Sequence, residues 1–183
     1  MKPIYLVKGF PGHPLHPPLT DATIGIYTGA TIFGVLSALG VSEQNMAVAW
    51  WLALVVGLVL TVFTAATGLI DWLGLEKGSP MRRTATLHLL AMVTATVFFL
   101  LAAIFGRDDY LASEVTSGSL TLTLAGFAAL TLGGWLGGTI VFVHGVRVLD
   151  RPEEPASQAI SPLPNVEEQR ADPSTAGGAE PRE

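Results

Sequence analysis

Four long apolar segments without a charged residue constrain this chain more than any other feature. They cover residues 22–41, 47–70, 84–105 and 119–143. Each is at least as long as the roughly 20 residues that a helix needs to cross the hydrocarbon core of a bilayer. Because lipid offers no water to satisfy exposed backbone groups, the segments are predicted to be helices. The expected fold is an all-α integral membrane protein, an antiparallel bundle of four transmembrane helices.

The composition agrees with a membrane protein and excludes several kinds of site. Of the 183 residues, 50% are hydrophobic and 14% are charged, whereas about 25% are charged in an average soluble domain. The absence of cysteine excludes disulfides, thiol catalysis and cysteine-ligated metal centres. The sequence has no stripe of basic residues, the feature that would predict a nucleic-acid partner. The sequence also lacks a nucleophile–base arrangement, a phosphate-binding loop and an HExxH motif, so a hydrolase is not predicted.

The distribution of Lys and Arg predicts how the segments are oriented. Seven of these residues flank the segments at one end, namely Lys2, Lys8, Lys77, Arg82, Arg83, Arg147 and Arg151. Only Arg107 lies between the segments at the other end. Loops rich in Lys and Arg stay on the cytoplasmic side of a membrane. Both termini are therefore predicted to be cytoplasmic.

The residues outside the four segments form two flanking regions. Residues 1–19 are predicted to be a cytoplasmic arm that contains Pro and His, because prolines interrupt it and it lacks the apolar core of a cleavable signal peptide. Residues 20–149 hold the four-helix transmembrane domain. Residues 150–183 are rich in Pro, Glu, Ala and Ser without an apolar period. Such a region cannot bury enough surface to fold, so a disordered acidic cytoplasmic tail is predicted.

The predicted orientation brings all the histidines to the cytoplasmic ends of the helices. Four histidines and two carboxylates lie there, namely His13, His16, Asp21, Asp71, His88 and His144. Helical spacing places the two carboxylates, His88 and His144 on the same helix faces as Gly, Ala and Thr. Transmembrane helices turn such small-residue faces toward each other. Because ionisable groups within a span are costly and usually face an interior, these side chains are expected to point into the bundle.

Three of these residues also have an explanation that needs no ligand. Asp21 suits the N-cap of the helix that starts there. Asp71 can be interpreted as a carboxylate at the membrane interface that pairs with Arg82 or Arg83 across the short connection between the second and third segments. His13, among prolines, suits an ordinary surface residue. The GxxxG pairs of the fourth segment are interpreted as helix packing.

Four motifs carry a resemblance to a known family. They are HPLHPPLTDATIG at residues 13–25, GLIDWL at 68–73, RRTATLH at 82–88 and GGWLGGTIVFVHGVRV at 133–148. With them the chain resembles, over all but its tail, the bacterial membrane family called domain of unknown function 2231. The resemblance implies a four-helix fold in the inner membrane of a bacterial cell. Because relatives occur fused to Rieske iron–sulphur domains, it also implies a redox setting. Met92 departs from the pattern, since many relatives carry Asn there.

The leading hypothesis for function is a b-type haem site. Two histidines on different helices at similar depth can bind one iron axially, and a glycine stripe leaves room for a macrocycle. His88 and His144 are the predicted pair by depth, with His16 as the substitute. Three arginines are available for the haem propionates, namely Arg82, Arg83 and Arg147. Such a subunit would pass electrons to quinone or to a Rieske-type or other redox protein.

Two other classes of function stay open. Nitrogen and oxygen ligands for a non-haem zinc, iron or manganese ion, or for a proton-coupled site, are also present. They are His16, His88, His144, Asp21 and Asp71. The third class is a ligand-free structural or assembly subunit in the lipid bilayer, with a homo-oligomer as one arrangement. Visible absorbance of the purified protein separates a haem protein from the other two classes.

Overall fold

The regular structure is almost entirely helical. A computed structural model describes residues 5–10, 12–149, 152–153 and 155–160. The described chain begins with helix α1 (Tyr5–Lys8) and an antiparallel hairpin of β1 (Gly9–Phe10) and β2 (His13–Pro14). The helices that follow are α2 (His16–Ala38), α3 (Glu43–Leu73), α4 (Pro80–Phe105), α5 (Arg107–Ala112), α6 (Ser117–Phe142) and α7 (Ala156–Ala159).

Four of these helices, α2, α3, α4 and α6, are long and apolar enough to span a membrane. The prediction of four helices of transmembrane length is therefore confirmed. Their bounds differ from those of the uncharged segments, since α2 begins at His16, inside the predicted arm. Pro17 and Pro18 start that helix without loss, because a proline in the first turn lacks only an N–H that would have no helical partner. Most of the predicted tail, 150–183, lies outside the described residues.

Two of the long helices start with a side-chain cap. Ser79 precedes α4 in an extended conformation, and its side chain accepts a hydrogen bond from the backbone N–H of Arg82 at 3.2 Å. Thr116 does the same for Ser119 at the start of α6. Asp21 has no such role, because α2 already begins at His16 and Asp21 lies a turn inside it. The interpretation of Asp21 as an N-cap is therefore wrong.

Glycines allow the long helices to approach each other closely. Helix α2 packs on α3 and α6, and α4 packs on the same two helices. A Cβ atom at Gly57 of α3 would lie 2.6 Å from the ring of Tyr27 on α2. A Cβ atom at Gly126 of α6 would lie 3.0 Å from the ring of Phe99 on α4. Small residues thus leave space that aromatic rings of the neighbouring helix fill, as is typical of helix contacts in membranes.

Aromatic rings fill one half of the space between the four helices. The rings of Tyr27 and Phe99 stack with their centroids 4.0 Å apart, which joins α2 to α4. The indole of Trp50 is fully buried, and its N–H donates to the hydroxyl of Thr123 at 3.0 Å, which joins α3 to α6. Leu54 is also fully buried. A well-packed core therefore occupies the half of the structure that contains the start of α3.

Candidate functional site

The predicted polar residues come together at the other end of the long helices, here called the histidine end. It contains the beginnings of α2 and α4 and the ends of α3 and α6. The imidazole Nε2 of His144, just after α6, lies 3.0 Å from the hydroxyl of Thr84 on α4. The guanidinium of Arg147 donates to the carboxylate of Asp71 on α3 at 2.6 Å and to the carbonyl of Lys8 at 3.2 Å. These bonds hold the segments of this end together.

A cavity of about 480 Å³ lies between the long helices at the histidine end. This volume falls within the range of about 300–1,000 Å³ that is usual for ligand sites. Its lining includes Tyr27 and the buried Leu130, so the cavity begins where the aromatic core stops. Most of its wall is apolar or glycine, and the ionisable exceptions are His16, Asp21, Asp71, His88 and Arg147. The site therefore suits a largely apolar ligand that meets a few polar groups.

His16, the first residue of α2, is held by two groups on α3. Its Nδ1 lies 3.1 Å from the carbonyl oxygen of Thr64 and 3.2 Å from the hydroxyl of Thr67. A carbonyl only accepts hydrogen bonds, so the proton of the neutral ring is assigned to Nδ1. The Nε2 atom, 3.5 Å from the hydroxyl of Thr20, then carries the lone pair. The close approach needs Gly68, where a Cβ atom would lie 2.6 Å from the imidazole Cε1.

His88 repeats this arrangement from α4. Its Nδ1 donates to the carbonyl oxygen of Gly133 on α6 at 2.8 Å. A Cβ atom at Gly137, one turn further along α6, would lie 3.2 Å from the imidazole Cε1. His16 and His88 thus line one cavity, and each has its Nδ1 on a backbone carbonyl of a neighbouring helix. A bond of this kind selects the tautomer in which Nε2 is unprotonated, the form that binds a metal.

The structure does not bring His144 to the cavity. Among the described residues that line it are His16 and His88, whereas His144 bonds to Thr84 outside it. The reason is that α6 ends at Phe142, and the chain then turns through Gly145 with a φ of 65°. The predicted pair of His88 and His144 therefore does not share this cavity, whereas His88 and His16 do. His13 lies in β2 with an exposed side chain.

The arginines also occupy positions that the sequence did not predict. Asp71 pairs with Arg147, so its expected partnership with Arg82 or Arg83 is wrong. The guanidinium of Arg82 lies 4.1 Å from the ring centroid of Trp72 and donates to the carbonyl of Leu75 at 2.6 Å. Arg82 and Arg83 line a separate open pocket at the turn between α3 and α4. Among the described residues, Arg147 is the one Arg or Lys that lines the cavity.

The carboxylates do not complete a metal site with the histidines. Asp21 lines the cavity from α2 but is exposed, and Asp71 is engaged by Arg147. In the part of the chain that the structure describes, no group of three or more His, Asp or Glu side chains is placed to hold a metal ion. A non-haem zinc, iron or manganese ion needs more protein ligands than two histidines.

Sequence reasoning missed two backbone groups that position the site and one ion pair between residues that it had named. The carbonyls of Thr64 and Gly133 hold the two imidazoles, and Asp71 holds Arg147. Backbone carbonyls leave no signal in a sequence, although the glycines beside them do. The signal for the ion pair was the presence of Asp71 in GLIDWL and of Arg147 in HGVRV, two of the motifs that carried the family resemblance.

Comparison with known proteins identifies the family. Residues 12–150 match the family described as predicted membrane protein (DUF2231). The chain belongs to this family. The match covers all four long helices and confirms the resemblance that the motifs indicated. No curated protein and no solved structure matches the chain.

Proposed function

We propose that this protein is a membrane subunit that binds one b-type haem in the cavity at the histidine end. His16 and His88 would hold the haem iron. The observation that carries the proposal is that both imidazoles line the same cavity with Nδ1 bonded to a backbone carbonyl. Metal-binding histidines typically make this bond with the ring nitrogen that does not bind the metal. The haem, when bound, would supply one-electron transfer.

The rest of the cavity supports a haem better than a metal ion held by side chains alone. The porphyrin provides four nitrogen ligands itself, so two histidines complete the coordination of its iron. Gly134, Gly137 and Gly138 of α6 line the cavity and leave space beside the histidines. Apolar residues such as Met92 and Val141 would cover the faces of the macrocycle and exclude water. Burial and hydrogen bonding of the axial ligands would then set the reduction potential.

The proposed setting is the inner membrane of a bacterial cell, with four antiparallel helices and the histidine end on the cytoplasmic side. The orientation is supported by the excess of Lys and Arg at that end. A single haem near one face cannot relay electrons across the whole bilayer. The subunit would instead exchange electrons at that face with quinone in the bilayer or with a Rieske-type redox protein.

Absorbance of the purified full chain in detergent tests the proposal. The protein, as isolated or after addition of haemin, should show a Soret band and, after reduction, α and β bands. His16→Ala and His88→Ala should each remove or shift these bands, whereas His144→Ala should retain them because His144 lies outside the cavity. Adding imidazole to His88→Gly should restore the bands, which separates ligand loss from misfolding. A wild-type protein that retains no haem absorbance after unbound haemin is removed by gel filtration would refute the proposal.

A further inference from the structure

The segment that follows α6 covers part of the cavity in an uncommon backbone conformation. This segment, residues 143–149, is called here the C-terminal turn. Val146 and Arg147 line the cavity. Arg147 has a φ of 61°, in the left-handed region, and follows Gly145 with a φ of 65°. Such a conformation costs free energy for a residue other than glycine and often occurs at functional sites. Arg147 is therefore held at the cavity by its contacts.

Those contacts engage only part of the guanidinium. One terminal nitrogen of Arg147 donates to Asp71 and the other to the carbonyl of Lys8. A guanidinium has five N–H donors, so the contacts within the described residues leave further donors for a ligand. The side chains of Arg147 and Asp71 are 27% and 20% exposed, respectively. Both residues also line the cavity. The pair is thus accessible from the cavity.

We propose that Arg147 is the carboxylate-binding group of the cavity and that Asp71 competes with the ligand for it. A planar guanidinium binds a carboxylate through two parallel hydrogen bonds. Asp71 provides one carboxylate oxygen in the ligand-free chain. A bound ligand's carboxylate would take the place of Asp71 or share the guanidinium with it. The inference rests on the proposed function, because b-type haem carries two propionate carboxylates, and it extends that function by naming what selects the ligand.

The competition predicts opposite effects for the two partners. Arg147→Gln should weaken the binding of a carboxylate-bearing porphyrin about tenfold or more, because a hydrogen bond to a charged group contributes about 1.5–3 kcal/mol. Asp71→Asn should strengthen it by several-fold, because the arginine is released from its internal partner. Arg147→Lys keeps the charge but loses the planar fork, so its affinity should lie between those of the wild type and Arg147→Gln. Arg83→Gln, at the separate pocket, serves as the charge-matched control.

The sharpest probe is metal-free protoporphyrin IX beside its dimethyl ester, followed by porphyrin fluorescence in one detergent. Neither needs an axial ligand, so the result is separate from haem ligation by His16 and His88. Arg147→Gln and Asp71→Asn should change the affinity for the diacid and leave that for the diester unchanged. Equal changes for both porphyrins, or unchanged binding of the diacid by Arg147→Gln, would overturn the inference. A failure of haem ligation by His16 and His88 would leave this result intact. A failure of carboxylate binding by Arg147 would likewise leave haem ligation intact.

Hydrogen exchange of the C-terminal turn adds a readout that needs no ligand. In the full chain without porphyrin, Asp71→Asn and Arg147→Gln should both speed amide exchange in residues 143–149, since each removes the ion pair between the turn and α3 and so weakens the bond that joins them. Arg83→Gln should leave that exchange unchanged. Exchange in Asp71→Asn equal to that of the wild type would show that Asp71 does not hold Arg147, and would overturn the competition.

Discussion

At the scale of single residues, glycines decide where the two imidazoles of the cavity can lie. His16 packs against Gly68 and His88 against Gly137, on two different neighbouring helices. In both places a methyl group would enter the space of the ring. Each glycine also lies one helical turn after the residue whose backbone carbonyl accepts the hydrogen bond from the imidazole Nδ1. The glycines therefore act on the site by giving the imidazoles access to their hydrogen-bond acceptors.

Gly68→Ala tests this role. The new Cβ atom would lie 2.6 Å from the imidazole of His16, so the ring must move away from Thr64. We expect a lower free energy of unfolding, by about 1–3 kcal/mol, and weaker haem binding. Gly25→Ala on α2 is the matched control, because its Cβ atom would meet nothing within 4 Å and the higher helix propensity of Ala should stabilise it by up to about 1 kcal/mol. Detergent-phase unfolding measures both variants, and equal behaviour would contradict the prediction.

At the scale of helices, side-chain hydrogen bonds join elements that lipid alone would not press together. Trp50 of α3 donates to Thr123 of α6, and Trp51 of α3 donates to the carbonyl of Ala103 on α4 at 2.9 Å. The ring of Trp51 also stacks on Tyr110 of α5, with centroids 4.6 Å apart. Since the hydrophobic effect between helices is absent within lipid, packing and such bonds hold the helices together.

Thr123→Val should separate the contribution of the Trp50 bond. The substitution keeps the shape of the side chain but leaves the buried indole N–H without its acceptor, which should lower the free energy of unfolding by about 1 kcal/mol. Thr121→Val is the control, because both threonines donate to the carbonyl four residues earlier in α6 and Thr121 is exposed. Indole fluorescence during unfolding reports the difference. Equal stability of the two variants would show that the bond contributes nothing.

At the scale of the whole molecule, the two ends of the long helices differ in kind. One end is filled by aromatic rings around Trp50, and the histidine end contains the cavity and the ion pair of Asp71 with Arg147. The ionisable groups of the site therefore lie near a single membrane surface. Which surface this is determines whether the partners of the protein are cytoplasmic or outside the cell.

Reporter fusions in a bacterial host determine the orientation. A reporter joined after residue 148 should be active only in the form that works in the cytoplasm, because Lys and Arg flank that end. One inserted within residues 107–118 should be active only outside. A variant with Lys residues added to that loop provides the control, since it should weaken or reverse the asymmetry. Reversed activities in the unmodified chain would place the histidine end outside and exclude cytoplasmic electron donors as partners of the protein.

The sequence by itself determined the number of helices of transmembrane length and the family. Hydropathy is a property of consecutive residues, and a backbone within lipid must satisfy its own hydrogen bonds, so each apolar segment predicts a helix without knowledge of the others. The glycine and threonine faces likewise predicted contacts between helices, as Gly57 and Gly126 show. The concentration of His, Asp and Arg at one end followed from the same local information.

Only the tertiary structure decided which of these polar residues meet. Depth along the axes placed His88 and His144 together, but contact also depends on the rotation of each helix and on the path of the chain after it ends. His144 lies beyond the last turn of α6, where helical spacing no longer predicts direction, and it reaches Thr84. His16 instead faces the cavity because α2 begins earlier than its apolar residues do, and Asp71 meets Arg147, 76 residues away, because the C-terminal turn folds back over α3.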